Sequence, residues 1–422
     1  MKNKILRIIL TLIGIAVFSP MGAQKYTSGA NHPFHSPTPG EITIMAVSPF
    51  PPGIQPSKQA FQDLESCGFN LTTSQGTIDY FKNVFSILGD MKLRYLISNP
   101  NFVEKNVRQS YMSAFRGNPH LGGWLLRDEP PFDIWQSLSQ QYKEFYTEAP
   151  NSFIYVNLVG IIYQQFTGPA KTIPQYLENF QNQFAPALWS YDYYPIYIQN
   201  GKLNINSEHF YYDLETFSSM AKKTSRPFWT FCESIGYTTS SYSRPAPTEA
   251  YLKFEAYNAL AYGAQGIVYW SYAMRNPSGG ENYTSALVDL KGRKSKAWFA
   301  AQKVNQQIKK FNDVFYECDV KEIRHTGDKI YNGTHKLSGA FGPFSMIRSG
   351  SEGVVASRIE NNGKTYIVLV NRDVNAKQKV TLELSGTQKV VNLTSPKQDQ
   401  YAGVTEIALT LDKADWAIFQ VL

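Results

Sequence analysis

The stretch Gly122-Gly-Trp-Leu-Leu-Arg-Asp-Glu-Pro130 is an apolar run that ends in an acidic pair. Short, continuously apolar segments are typical of parallel strands that are buried on both faces. Segments of the same kind recur before and after it along the chain. The eight predicted strands are 41–50, 68–74, 93–99, 122–130, 153–158, 188–195, 228–234 and 266–272.

The segments between these strands have helical spacing of their apolar residues. One helix is expected to begin after Thr248, which is suited to cap a helix, and to end at Gly263. Regular alternation of strand and helix predicts a (β/α)8 TIM barrel over 41–318, with a doubly wound open sheet as the alternative. The predicted helices are 57–67, 101–115, 132–147, 173–184, 208–223, 248–262 and 294–312.

The pattern changes beyond the predicted barrel, where strand-like runs follow one another at short spacing. Asn361-Asn-Gly363 between two of them suits a hairpin turn. The region 319–422 is therefore predicted to be an antiparallel β-sandwich. Its expected strands are 353–359, 364–371, 378–384, 390–393, 405–409 and 414–421.

The composition excludes several classes of protein. Aromatic residues make up 14% of the 422 residues and charged residues only 18%, whereas disordered chains have few aromatic residues and a high net charge. The formal net charge of +7 is not concentrated in a Lys/Arg cluster, so no nucleic-acid partner is expected. Three distant cysteines and six scattered histidines show no metal-ligand spacing, and we expect neither a metal nor a cofactor.

The N-terminus has the pattern of a secretory signal peptide. Lys2, Lys4 and Arg7 precede the apolar run 8–18, and small residues lead to Ala23. The alternative, a membrane anchor, needs about 20 apolar residues, which this run does not reach. We therefore predict a signal peptide at 1–23 and a leader at 24–40. The protein is expected to be periplasmic or secreted, with no membrane span once the signal is removed.

Two predicted strands end in glutamates. Barrel enzymes place their sites at the carboxyl ends of the strands. Glu129 ends the fourth predicted strand and Glu233 the seventh, so the two are expected to face each other across the barrel mouth. Two opposed carboxyl groups suit glycoside hydrolysis, with one protonated and the other charged. The alternative is that each glutamate pairs with a basic residue at the rim, Arg127 being the obvious candidate.

These motifs resemble those of the clan A glycoside hydrolases. The resemblance rests on the two strand-end glutamates, on the Pro after the first, and on the run 122–130. It rests also on Tyr262-Gly-Ala-Gln-Gly-Ile-Val-Tyr-Trp270 and Ala286-Leu-Val-Asp-Leu-Lys-Gly-Arg293. Within the clan, the sequence looks most similar to glycoside hydrolase family 42, the β-galactosidase group. The resemblance covers about residues 41–315.

The resemblance implies roles for individual residues. Glu129 matches the acid/base of the clan and Glu233 its nucleophile. Trp270 matches the aromatic residue that floors the subsite of the cleaved sugar, and the peptide bond that follows it is often cis in the clan. The clan usually has Asn before the acid/base, where it contacts the sugar 2-hydroxyl, but this chain has Asp128.

Other residues near the strand ends are weaker candidates. Asp192 is a candidate ligand of sugar hydroxyls and Tyr194 a candidate hydrogen-bond donor to the nucleophile, with a packed rim and a capping Asp as the alternative. Asn157 and Asn70 are assigned turn roles in preference to hydroxyl binding. Cys232 is predicted to be a buried thiol that packs the strand. Trp124 and Trp229 are interpreted as core residues.

Together these features predict an exported retaining β-glycoside hydrolase that needs no cofactor. Its substrate would be a glycan or oligosaccharide outside the cytoplasm, with β-galactosidase-like or β-glucosidase/glucanase-like action. The alternative is a glycan-binding barrel that has lost its hydrolase activity, which Asp128 keeps open. The sequence leaves the oligomeric state undetermined.

Overall fold

The structure is a computed structural model that describes residues 32–403 and 406–422. The predicted signal peptide and the first part of the leader, 24–31, lie outside the described residues. Within the described part of the chain, no helix is long and apolar enough to cross a membrane.

Eight parallel strands form a closed barrel, which confirms the predicted TIM barrel. The last strand pairs with the first in parallel register, from Thr43 opposite Gly266 to Ala46 opposite Tyr269, and this pairing excludes the open sheet. The barrel strands are β1 (Thr43–Val47), β2 (Leu71–Gln75), β3 (Arg94–Ser98), β4 (Leu121–Asp128), β5 (Ile154–Val159), β6 (Trp189–Asp192), β7 (Phe228–Glu233) and β8 (Gly266–Trp270).

Helices connect the strands around the outside of the barrel. The helix Ile78–Leu88 was not predicted, although Phe81, Val84 and Leu88 have helical spacing and Thr77 caps its first turn. The other α-helices are Lys58–Ser66, Lys105–Phe115, Trp135–Glu148, Gln164–Thr167, Ile173–Phe184, Ser207–Thr224, Glu249–Ala261, Lys296–Lys310 and Asn312–Phe315. Short 3-10 helices span Pro100–Val103 and Phe132–Ile134.

A small antiparallel sheet covers part of the barrel mouth. Its five strands come from the segments that follow β6, β7 and β8, and we call it the loop sheet. The sequence did not predict it, because strands of two to four residues are too short to show an alternating pattern. Their order in the sheet is Asn282–Ser285, Gly236–Thr238, Ser243–Arg244, Ile196–Gln199 and Lys202–Ile205.

The C-terminal region consists of two antiparallel sheets, as predicted for this part of the chain. Strands Asp319–His325 and Phe344–Ser349 were not predicted, because charged residues interrupt their apolar positions. One sheet has six strands in the order Asp319–His325, Val354–Asn361, Lys364–Asn371, Trp416–Val421, Lys389–Asn392 and Gln400–Ala402. The other has three, Phe344–Ser349, Gln378–Leu384 and Glu406–Leu411.

Aromatic stacking joins the C-terminal sheets to the barrel. The Trp416 ring lies parallel to the Tyr257 ring with centroids 3.7 Å apart, and it also stacks on Phe315 at 5.2 Å. Tyr257 belongs to the helix Glu249–Ala261, which packs directly behind β7. The sandwich therefore supports the outer side of the helix that lies behind one of the two candidate glutamates.

Part of the predicted leader packs into the opposite, N-terminal end of the barrel. Phe34 is buried, and its ring makes edge contacts with Phe153 at 5.6 Å and with Trp229 at 6.5 Å. The Trp229 indole ring packs directly against Gly266. A Cβ atom at that position would lie only 2.5 Å from the ring, so no larger side chain fits there. Trp124 and Trp229 are both fully buried, which confirms their assignment to the core. Aromatic rings thus fill the N-terminal end of the barrel.

Replacing Phe34 by Ala is expected to lower the free energy of unfolding by about 3 kcal/mol, because it leaves a cavity in this aromatic packing. Urea denaturation of the purified protein measures the change. Phe299→Ala is the matched control, since Phe299 is 52% exposed and its truncation should alter stability by less than about 0.5 kcal/mol. Equal effects of the two substitutions would contradict a packing role for Phe34.

Candidate active site

Glu129 lies immediately after β4 in an unusual backbone conformation. Its φ angle is +43°, in the left-handed region that non-glycine residues rarely adopt, and its backbone N–H donates to the carbonyl oxygen of Asn157 at 3.0 Å. Such strained residues persist only where the surrounding structure holds them, and they cluster at functional sites. The backbone turn and this hydrogen bond fix the position of the Glu129 backbone, from which its carboxyl group extends at the end of β4.

The Asn157 side chain forms hydrogen bonds with two further acidic residues at this end of the barrel. Its amide nitrogen donates to Asp128 Oδ1 at 3.1 Å and to Asp192 Oδ1 at 2.9 Å, and its amide oxygen accepts from the Ser190 hydroxyl at 2.8 Å. Asn157 is buried inside β5, so its predicted turn role is wrong. The side chain orients the carboxyl groups at the ends of β4 and β6.

The three carboxyl groups at the ends of β4 and β6 all favour the protonated form. Burial raises the pKa of Asp192 well above its usual value, and the charges of Glu129 and Asp128 raise it further. Burial and the charge of Asp128 also raise the pKa of Glu129, although a hydrogen bond from Asp192 opposes this. Asp128 keeps an exposed surface, but enough protein surrounds it that desolvation raises its pKa too. Glu129 and Asp192 therefore do not ionise independently, and their repulsion favours a state in which the pair shares one proton.

Glu233 ends β7 in a different electrostatic environment. It is 7% exposed, and the guanidinium Nε of Arg244 lies 3.5 Å from its Oε1. Burial raises the pKa of Glu233 well above its usual value, the Arg244 charge lowers it, and the charges of Glu255 and Glu281 raise it. Arg244 is therefore the group that favours the charged carboxylate here. The expected alternative partner, Arg127, is an exposed residue at the end of β4.

Arg244 reaches Glu233 because the loop sheet holds it. Its Nη1 donates to the carbonyl oxygens of Tyr194 at 2.7 Å and Ile196 at 2.9 Å. The guanidinium also lies 5.3 Å from the centroid of the Tyr242 ring. Sequence reasoning missed Arg244, since its strand has two residues and lies apart from any recognisable motif.

Tyr194 and Trp270 lie between the two acidic groups. Their rings stack with centroids 5.9 Å apart, and Trp270 is the strand neighbour of Glu233. After burial, the charges that raise the pKa of Tyr194 include those of Asp192, Glu233 and Glu129, which places the phenol within electrostatic range of both sides. The peptide bond from Trp270 to Ser271 is cis, as the clan resemblance implied.

The structure thus brings all six predicted site residues to the same end of the barrel: Asp128, Glu129, Asp192, Tyr194, Glu233 and Trp270. Asn70 does not join them, because it precedes β2 and its amide nitrogen donates to the Ile42 carbonyl oxygen at 2.9 Å. Cys232 is a fully buried free thiol, as predicted, and burial raises its pKa well above the usual value. No group of His, Cys, Asp and Glu in the described residues could hold a metal ion.

The arrangement has the parts that acid-assisted displacement at a sugar carbon requires. A carboxyl pair at β4 and β6 can supply a proton, and a carboxylate beside an arginine at β7 can act as a nucleophile or stabilise positive charge. Aromatic rings between them offer an apolar surface to the C–H face of a sugar.

Comparison with known proteins agrees with this interpretation of the fold. Residues 115–311 match the model of the family described as beta-galactosidase, glycoside hydrolase family 42. No curated protein matches the chain significantly.

Solved structures show the same architecture at low sequence identity. A catalytic mutant of a family 42 beta-galactosidase from G. stearothermophilus is 10% identical with a TM-score of 0.61, over 93% of this chain and 100% of that one. The beta-galactosidase from Bacillus circulans sp. alkalophilus is 8% identical with a TM-score of 0.60, over 91% and 99%. This chain spans only 59% of the length of another solved protein, the beta-galactosidase from the psychrophilic Marinomonas ef1, to which it is 10% identical.

The fold and the family match define the class of this protein, which is a glycoside hydrolase built on a (β/α)8 barrel. Within that class, its barrel is similar to those of clan A and, over residues 115–311, to glycoside hydrolase family 42.

Replacing Arg244 by Met is expected to move the acidic limb of the pH profile of kcat/KM upward by about one pH unit or more. The substitution removes the positive charge that lowers the pKa of Glu233, so the carboxylate form appears only at higher pH. Steady-state kinetics on an aryl β-glycoside between about pH 4 and 9 measure the limb. Arg293→Met, at an exposed ion pair with Asp289, is the matched control. An unchanged limb in Arg244→Met would show that Arg244 does not govern this ionisation.

Proposed function

We propose that the protein is a retaining β-glycoside hydrolase that uses Glu129 as acid/base and Glu233 as nucleophile. The observation that carries the proposal is the contrast between the two glutamate environments. Glu129 shares a proton-holding pair with Asp192, whereas Glu233 faces the Arg244 guanidinium. A neighbouring cation favours the charged form of Glu233, whereas a neighbouring acid favours the protonated form of Glu129, and a difference of this kind is what acid-base division requires.

In the first step the Glu233 carboxylate attacks the anomeric carbon. The bond from that carbon to the leaving oxygen breaks, and the proton on Glu129 passes to this oxygen. The product is a glycosyl ester on Glu233. In the second step Glu129, now a carboxylate, takes a proton from water. The water oxygen bonds to the anomeric carbon, and the ester bond to Glu233 breaks.

Neighbouring residues would hold the sugar during these steps. The Trp270 ring would provide the floor, and the Tyr194 phenol would lie beside it within electrostatic range of the Glu233 carboxylate. Asp128, oriented by the Asn157 amide, accepts a hydrogen bond from the sugar hydroxyl next to the reacting carbon. An aspartate in this place cannot donate to the sugar when charged, which distinguishes it from the asparagine usual in the clan.

The proposed substrate is a glycan with terminal or internal β-galactosyl units, and β-glucosyl units are the second choice. The match to a beta-galactosidase family supports this order.

Substitution of either glutamate by Gln is expected to lower kcat on a disaccharide by roughly a thousandfold or more. The two variants should differ with the leaving group. Glu129→Gln should lose far less activity on a dinitrophenyl β-glycoside, whose phenolate leaves without a proton, than on a disaccharide. Glu233→Gln should lose activity equally on both, since the attacking carboxylate is gone. Steady-state kinetics on the two substrates measure the contrast.

Three results would contradict parts of the proposal. Near-normal hydrolysis by Glu233→Gln would exclude this residue as nucleophile. Proton NMR of the first product that shows the α-anomer from a β-glycoside would exclude retention. Sugar binding without hydrolysis by the unaltered protein would favour the glycan-binding barrel instead.

We also propose that the protein is exported, on the pattern of Lys2 to Ala23. Expression of the full chain in a Gram-negative host should yield a periplasmic protein that begins just after Ala23, because signal peptidase cleaves behind such small residues. N-terminal sequencing of the periplasmic fraction measures this. Recovery of the chain with Met1 intact in the cytoplasm would contradict export.

A further inference from the structure

A buried carboxyl group behind β7 takes no part in the proposed chemistry. Glu255 lies in the helix Glu249–Ala261 and is 1% exposed. Burial of an ionisable group costs free energy unless hydrogen bonds or charges compensate it, and an apolar side chain would pack here at lower cost. A carboxyl group in this place therefore calls for an interaction that an apolar side chain could not make.

That interaction is a hydrogen bond to the backbone of the candidate nucleophile. The N–H of Glu233 donates to Glu255 Oε2 at 2.7 Å, and Glu255 Oε1 has no hydrogen-bond partner in the described part of the chain. The pairing of β6 with β7 stops at Tyr191 opposite Thr230, so the last residues of β7 have no strand partner on that side. The Glu255 carboxyl group takes the place of the missing ladder bond.

The hydrogen bond holds Glu233 from the side opposite to Arg244. Arg244 approaches the carboxyl group at 3.5 Å from the loop sheet, while Glu255 holds the backbone of the same residue from behind the barrel. The next residue is also fixed, because the Ser234 N–H donates to the Trp270 carbonyl oxygen at 2.8 Å. A nucleophile has to be held within a fraction of an ångström of the reacting carbon, and such backbone restraints provide that precision.

We propose that Glu255 is a positioning residue for the nucleophile: its carboxyl group binds the Glu233 N–H and thereby sets the direction in which the Glu233 side chain points. The inference rests on the proposed function, since it assigns a purpose to Glu255 only if Glu233 attacks the sugar.

The ionisation of Glu255 is coupled to the ionisation of the titratable groups in and beside the site. Burial raises its pKa to about 8, while the Glu233 N–H, Cys232 and the Arg244 charge lower it. Its own charge raises the pKa values of Glu233, Cys232 and, on β8, Tyr269. The charged groups that face this helix from its other neighbours are Lys303 and Asp415, and they pair with Glu249 and Lys253 in its first turns. Glu255 thus gains its charge in the alkaline range.

Two substitutions separate the parts of this role. In Glu255→Gln the amide oxygen still accepts the Glu233 N–H, so kcat should fall only about threefold. The ionisation near pH 8 should disappear from the pH profile of kcat. In Glu255→Met the acceptor is lost at similar volume, so kcat should fall about tenfold or more while KM changes less than about twofold. Glu249→Gln, on the exposed first turn of the same helix, is the matched control for both.

The measurements are kcat and KM on the aryl β-glycoside that the unaltered protein hydrolyses fastest, between about pH 5 and 9, with circular dichroism to verify folding. If Glu255→Met does not fold, Glu255→Asp replaces it, because the shorter side chain keeps the charge but withdraws the acceptor. A kcat of the Met or Asp variant equal to that of the control would overturn the inference.

The outcome is distinguishable from failure of the proposed function. If Glu233→Gln abolishes hydrolysis but the Glu255 variants behave like the control, only the positioning role is wrong. If Glu233→Gln remains active, the nucleophile assignment itself is wrong, whatever the Glu255 variants do.

Discussion

The parallel pairing of β1 with β8 is the constraint on which the rest of the structure depends. It closes the sheet, so that every strand has a neighbour on both sides and all eight carboxyl ends meet around one opening. Without closure, the ends of β4 and β7 would lie on distant parts of an open sheet. Closure also requires that the interior be filled. Aromatic rings, among them those of Phe34, Phe153 and Trp229, meet that requirement at the end away from the site.

Several acidic side chains lie close together at this opening, and their negative charges repel one another. The structure limits the repulsion in two ways. At β4 and β6, burial and mutual repulsion raise the pKa values of Glu129 and Asp192, and the Asn157 amide donates to the aspartates on either side. At β7, the Arg244 guanidinium offsets the charge of Glu233. The two glutamates therefore lie in different electrostatic environments.

The supports of Glu233 come from two different structural elements. Arg244 belongs to the loop sheet on the barrel mouth, whereas Glu255 belongs to a helix behind the strand. The C-terminal sheets in turn pack on that helix through Trp416 and Tyr257. The C-terminal sheets therefore pack on the outer side of the helix whose Glu255 accepts the Glu233 N–H.

The sequence by itself determined the barrel, the β-rich C-terminal region and the two strand-end glutamates, because each is a local pattern: an apolar run, a helical period, an acid at the end of a strand. The sequence did not indicate that Arg244 or Glu255 would contact Glu233, and the turn role that it predicted for Asn157 was wrong. An arginine in a two-residue strand and a glutamate within a helix look like ordinary surface residues in sequence. Only the tertiary structure decided their roles, since burial, hydrogen bonding and pKa depend on which groups the closed barrel brings within a few ångströms.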